Sequence, residues 1–467
     1  MKYIALAFGL FAPQGLFAHG IGQRIDLPIP LDIYLGAAAV VLVLSFVLIG
    51  VLGKRARTYE TSPRFNVYSW GWLRSICESN YFIVFLKTLS VVFLGILLYA
   101  GFWGDQTPTD NILPVFVWVG FTVALTYIVA FVGNIWLILN PWKALHELLD
   151  PKERFSKHVS WPRTFGVWPA FALFVVFRFL ENIYVEATNP QILATLVSVY
   201  SIITLLGAFL FGREQWFKNG DPFSVFYRFL STFAVFSYET YKDTKALVAR
   251  PPAFGLLKKE PVSFSEMMFV LLMLATVSFD GISSTAFAAS ILTFLLDSGI
   301  TLVFAKTILM FGVFAVFVLI YLLFTVLIRN YAQSQKSVLA LAKQFVLSLL
   351  PIAIVYEVAH FALLLLTEGQ RISIRLSDPF GYGWDLFGTA SQTVNYGFVN
   401  FKLLWNVEIA LIMLGHIASI YIAHMVALNI FNDVRTARRS QIPMLILMIG
   451  YTVLGLWILA QPPVLVG

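Results

Sequence analysis

The stretch ITLVFAKTILMFGVFAVFVLIYLLFTVLI, Ile300 to Ile328, carries a single charge, Lys306. Coiled as a helix at about 1.5 Å per residue, it is longer than the ~30 Å hydrocarbon core of a bilayer. A helix on the surface of a soluble domain needs a polar face. This stretch has none and reads as a membrane span. Working outward with the same test gives about ten such runs, near 31–53, 81–103, 113–139, 166–184, 189–211, 264–280, 300–328, 337–367, 405–431 and 443–460. Two further apolar stretches are less regular. Residues 222–237 include Arg228 and read as interfacial or re-entrant, and 283–296 is short. The expected fold is all-α, a polytopic transmembrane helical bundle.

Composition agrees. Of 467 residues 59% are hydrophobic and 12% charged, against about 25% charged in an average soluble domain. The net charge of +7 fits basic cytoplasmic loops. No basic arm, zinc-finger spacing or RNP-like motif points to nucleic acid. One cysteine, Cys77, excludes an intrachain disulfide and a cysteine-cluster metal site. Metal chemistry would rest on histidines and carboxylates.

The chain opens Met1-Lys2, followed by an apolar run from Tyr3 to Ala12 and then Pro13 to Ala18 before His19-Gly20. The run is too short to span. With its basic start and a small residue at Ala18 it reads as a signal peptide, residues 1–18, cleaved ahead of His19. The remainder, 19–467, is expected to be a single transmembrane domain. Loop charges orient it. Lys54, Arg55 and Arg57 follow the first span, whereas loop 104–112 holds Asp105 and Asp110 and no base. The alternation continues through Lys143 to Arg163, Glu186, Arg213 to Lys259, Arg329 with Lys336, and Arg435 to Arg439, with 368–404 a partial exception. The positive-inside rule then places both mature termini outside. Trp and Tyr near span ends, Trp70, Trp103 and Trp405 among them, read as an aromatic belt.

Ionisable groups at membrane depth point to function. Arg178 and Glu181, three apart on one helical face, read as an internal salt bridge. Of six histidines, His146 and His158 follow Asn140-Pro141-Trp142 and read as solvated in a cytoplasmic loop. Glu357 and His360 lie one turn apart near the external end of span eight; Glu408, His416 and His424 lie along span nine. Consecutive spans are plausible neighbours, so Glu357, His360, Glu408 and His416 are the candidate catalytic set. Glu-x-x-His on a helix is also a spacing used by carboxylate-rich metal sites, which makes His360, His416 and His424 candidate ligands for a divalent metal, zinc or copper. His19 joins them as a prospective mature N-terminus. His19-Gly20 resembles the copper-binding start of the particulate methane monooxygenase subunit that carries an N-terminal histidine brace. The simpler alternative for each histidine is a bond to a neighbouring carbonyl.

The external loop 368–404 joins the two histidine-bearing spans. It contains Arg371, Arg375 and the run Asp378 to Asp385 with Trp384. Its glycines permit close backbone approach and its arginines suit an anionic or phosphoryl group. Arg371, Arg375, Trp384 and Asp385 are the candidate substrate-binding residues, in a loop that could act as a lid.

The run His19 to Pro30, the Asn140-Pro141-Trp142 turn, the Ala359-His360 pair, the Asp378-to-Gly388 loop and the paired histidines of span nine together resemble bacterial polytopic membrane proteins of the fenitrothion hydrolase family. The resemblance implies a multi-pass protein of the bacterial inner membrane that hydrolyses organophosphorus triesters. Its partners would be the lipid bilayer and a hydrophobic small molecule, with no nucleic acid. It carries over no catalytic residues. The alternative from another class is a transporter or copper-handling protein whose buried ionisable groups line a pathway.

Overall fold

The computed structural model describes residues 31–52, 58–257, 261–431 and 433–461. The expected signal peptide and His19 lie outside them. Among the described residues nine helices are long and apolar enough to cross a membrane. With one shorter helix they are α1 (Leu31–Leu52), α2 (Asn80–Trp103), α3 (Ile112–Phe131), α4 (Trp168–Asn182), α5 (Pro190–Phe211), α6 (Phe264–Ser283), α7 (Leu302–Tyr331), α8 (Val338–His360), α9 (Phe401–Ile430) and α10 (Val434–Leu459). They define a multi-pass helical membrane protein.

The apolar runs become helices because the backbone can satisfy itself nowhere else in a lipid interior. Polar caps fix where they begin. Asn111, Asn189, Asn400 and Asp433 each accept a bond from the first turn, and Ser263 with Glu266 forms a reciprocal capping box at α6. Burial then separates the helices. In its most apolar window α6 is 89% buried, whereas α2 is 6% and α1 11% buried. Thus α6 is the centre of the bundle, and α1 and α2 present most of their surface outward.

Glycines set the tightest approaches to α8. A Cβ on Gly415 of α9 would fall 2.2 Å from Val355 Cγ2, and one on Gly455 of α10 would fall 3.2 Å from Tyr356 Cε2. Small residues let helices pack at this distance in membranes. Residues Phe116–Ala124 of α3 form a wide π-helical stretch, a geometry frequent at functional sites.

Two sequence expectations are revised. The stretch 166–184 folds as α4, fifteen residues long and so about 22 Å; it packs against α6 and the helix Pro222–Leu230. That second helix buries Phe223, Val225, Phe226, Tyr227, Phe229 and Leu230, so it belongs to the core, with Arg228 bonded to Glu266 at 3.1 Å. His146 is fully buried, not solvated. Its ring packs on Phe209 at 4.5 Å, and burial, reinforced by the charge of Arg213, holds its imidazole below the usual value.

A small antiparallel sheet accompanies the bundle, with β1 (Phe65–Asn66), β2 (Phe236–Tyr241) and β3 (Thr244–Ala249) in the order β1-β3-β2. Lys242 and Asp243 turn the β2–β3 hairpin with φ of 46° and 67°, the two-residue geometry that matches strand twist. Tyr59 joins it to the chain before α2, donating to Glu239 at 2.5 Å and accepting from Arg250 at 3.0 Å.

Candidate functional site

The ends of α4, α6 and α8 and the start of α9 bring six ionisable side chains into the bundle on the side of residues 368–400. Arg178 extends from α4 to two carboxylates. Its Nη1 donates to Glu181 Oε2 at 2.6 Å and its Nη2 to Glu357 Oε1 at 3.0 Å. The guanidinium also lies 5.2 Å from the Phe174 ring centroid. Beside this group, His360 Nε2 sits 2.7 Å from Asp280 Oδ2. Glu408, 8% exposed, lies within electrostatic range of His360.

Bare charges are costly away from water, which explains the pairing. Arg178 is balanced within its own helix by Glu181 and across helices by Glu357. A planar guanidinium with several fixed donors suits this double role. Tyr127 from α3 donates to the carbonyl of Val358, tying the turn that carries Glu357 and His360 to α3 just past its wide stretch. Phe121, Phe177, Phe223 and Phe226 line a small cavity over Arg178 and Glu357, so one wall of the site is aromatic.

Of the residues expected from sequence, Glu357, His360 and Glu408 come together. His416 does not join their bonds. Its Nδ1 bonds the Ile412 carbonyl at 2.8 Å on its own helix, and its Nε2 is buried without a partner among the described residues. His424 lies two turns further along α9, with Nδ1 3.0 Å from Gln441 Oε1. In the 368–404 loop, Arg371 pairs with Glu368 at 2.5 Å and Arg375 with Asp110 at 2.7 Å. Trp384 packs edge-on against Phe380 at 5.4 Å, and Asp385 accepts from the Ala390 amide at 3.0 Å. These four side chains hold the loop's own shape and its contact with the 104–112 loop.

Among the described residues no three His, Cys, Asp or Glu side chains are gathered as ligands of one ion. Glu357 Oε1 faces a guanidinium and His360 Nε2 faces Asp280, so these two atoms are already engaged within the cluster. Asp280 was missed in the sequence. It is the one carboxylate in the run 264–283 beyond the capping Glu266, and that isolation in an apolar helix was the available signal.

No family model matches the chain, and no curated protein or solved structure matches it either.

Proposed function

We propose that this membrane protein is a hydrolase of apolar organophosphorus triesters such as fenitrothion, with His360 as general base and Asp280 as its orienting partner. The observation that supports this reading is the 2.7 Å His360–Asp280 bond inside a bundle with an aromatic-walled cavity nearby. An ionised Asp280 accepts from Nε2–H, which leaves the lone pair of the imidazole on Nδ1. That nitrogen removes a proton from water while the water oxygen bonds to phosphorus. The P–O bond to the aryl group breaks, and the nitrophenolate leaves with the electron pair. Arg178, held between Glu181 and Glu357, positions the helices and touches no reacting atom.

In the orientation given by loop charges, the cluster lies in the outer half of the membrane and 368–404 faces outside; the signal-peptide pattern would start the mature chain at His19, and the family resemblance would make the membrane the bacterial inner one. An apolar ester partitioned into lipid would then reach the cluster without entering the cytoplasm. The test is nitrophenol release by the purified protein in lipid, run beside metal analysis. Release lost in His360→Ala and Asp280→Asn supports the assignment, and release retained in both removes it. Stoichiometric zinc or copper would favour a metal-assisted variant in which His360 exchanges Asp280 for the ion.

A second reading, proton- or cation-linked transport, has its own support. Among the described residues four carboxylates, Glu181, Asp280, Glu357 and Glu408, gather with Arg178 and His360, and ionisable groups at membrane depth mark ion and proton pathways. Buried polar side chains continue along α9 and α10 to His424 and Gln441. Uptake into vesicles, with no ester cleavage, would select it.

A further inference from the structure

Deeper along α8 and α9 than the charged cluster, a cavity with room for about one water molecule lies between α6, α8, α9 and α10. Its polar lining is Ser278, Tyr356, His416 and Tyr451. Tyr356, His416 and Tyr451 are 4%, 2% and 8% exposed, and each carries a buried polar atom with no partner among the described residues: Tyr356 Oη, His416 Nε2 and Tyr451 Oη. Ser278 donates its proton to the Leu274 carbonyl at 2.8 Å and keeps its lone pairs. Buried polar groups in folded proteins are almost always satisfied. Three orphans lining one cavity of this size, drawn from three helices, is the setting in which an internal water is found.

We propose that this cavity is a built site for one bound water, which connects His416 to the His360–Asp280 pair through the Tyr356 hydroxyl. The roles follow from the tautomer. His416 Nδ1 carries the proton donated to the Ile412 carbonyl, 2.8 Å away, so Nε2 presents a lone pair and the water donates to it. The water accepts from a tyrosine hydroxyl. Tyr356 has a second neighbour, because its ring stacks on His360 with centroids 5.9 Å apart and planes 21° from parallel. A Cβ at Gly281, next to Asp280, would meet Tyr356 Oη at 3.1 Å and His360 Cε1 at 3.5 Å. The phenol therefore stands between the cavity and the charged cluster. His416 is the sixteenth of the thirty residues of α9, so the water extends acid–base contact to the middle of the membrane. This holds under either reading of the protein's activity.

Water-edited solid-state NMR on the full chain, labelled with ¹⁵N-histidine and reconstituted in bilayers, tests the site. Magnetisation should pass from water to His416 Nε2, with the nitrogen shift of a hydrogen-bond acceptor. Tyr356→Phe or Tyr451→Phe should each reduce the transfer about fivefold, the loss of one hydrogen bond. The resonance is assigned by its absence in His416→Leu or, if that variant does not fold, by its correlation to ¹³C-labelled Ile412 in the wild type. No transfer to His416, while exposed His158 receives it, would show a dry cavity and overturn the proposal.

Discussion

Asp280 and His360 are eighty residues apart in the chain, yet Nε2 and Oδ2 meet at 2.7 Å. The contact joins the last turn of the central helix α6 to the last residue of α8. It gives the imidazole a fixed tautomer, which a general base needs and a lone histidine lacks.

Asp280→Asn is therefore the most discriminating substitution for the proposed hydrolysis. The amide keeps the shape but can offer an N–H where the imidazole needs an acceptor. Turnover should fall about 10²- to 10⁴-fold, the usual contribution of a positioned base. His360→Ala should lose as much, and the double variant no more, because a pair acting as one unit is not additive. Nitrophenol absorbance in proteoliposomes measures all three, and wild-type turnover in Asp280→Asn would sink the dyad.

Arg178 is a stability prediction. Its side chain is 3% exposed and holds Glu181 and Glu357 at 2.6 and 3.0 Å. Removing one partner of a buried ion pair costs about 3–5 kcal/mol, because the remaining charge is left uncompensated. Arg178→Ala should lower the unfolding midpoint in detergent by an amount that Glu357→Gln in the same chain partly restores. Arg178→Lys should not restore it, since one ammonium cannot reproduce the planar fork. An unchanged midpoint in Arg178→Ala would mean that the carboxylates find other partners.

Much of this was legible in the sequence, for reasons that differ by residue. The spans announced themselves by apolar length, and the Arg178–Glu181 pair by its spacing of three. Glu357 and His360 were readable for the same reason: one helical turn puts them on one face. What sequence periodicity cannot supply is a partner on another helix. Neither the Asp280–His360 bond nor the Arg178–Glu357 bond has a local signature, since each depends on how α4, α6 and α8 stack. The burial of His146 was hidden for a related reason. It lies on a short amphipathic helix, Pro141–Leu149, whose buried side is decided by Phe209 of α5. The β2–β3 strands, carrying Glu, Lys and Thr among their residues, gave no apolar alternation strong enough to stand out in a loop.

Asp150, outside the spanning helices, predicts a pH response. Burial would raise its carboxyl, but the Ser156 hydroxyl and the amides of Arg154, Ser156 and Phe155 bond the ionised form and hold it below the ordinary carboxylate value. A depressed folded value means the stabilisation is complete above the unfolded value, about 3.9, and is lost as pH falls through the folded one. Hydrogen exchange at the Arg154, Phe155 and Ser156 amides, corrected for intrinsic rates, should therefore accelerate only below about pH 4. Asp150→Asn should exchange faster at neutral pH and lose the acid dependence. An acid response that persists in that variant would assign it elsewhere.

Gly415 tests the packing that sets the distance between the two histidine-bearing helices. A methyl there would lie 2.2 Å from Val355 Cγ2 and 2.7 Å from Cγ1. Val355 is β-branched and rotates poorly in a helix, so α9 must move away from α8. Gly415→Ala should lower stability by about 1–3 kcal/mol, the range for overpacked cores. Glu408 and His416 ride on α9, so activity should fall with it. Val355→Ala removes the clashing methyls and should recover most of both losses when combined with Gly415→Ala. Taken alone it should destabilise by opening a void. That reversal of sign is the signature of direct contact. If Val355→Ala instead adds its own loss to that of Gly415→Ala, the two helices do not meet at this pair.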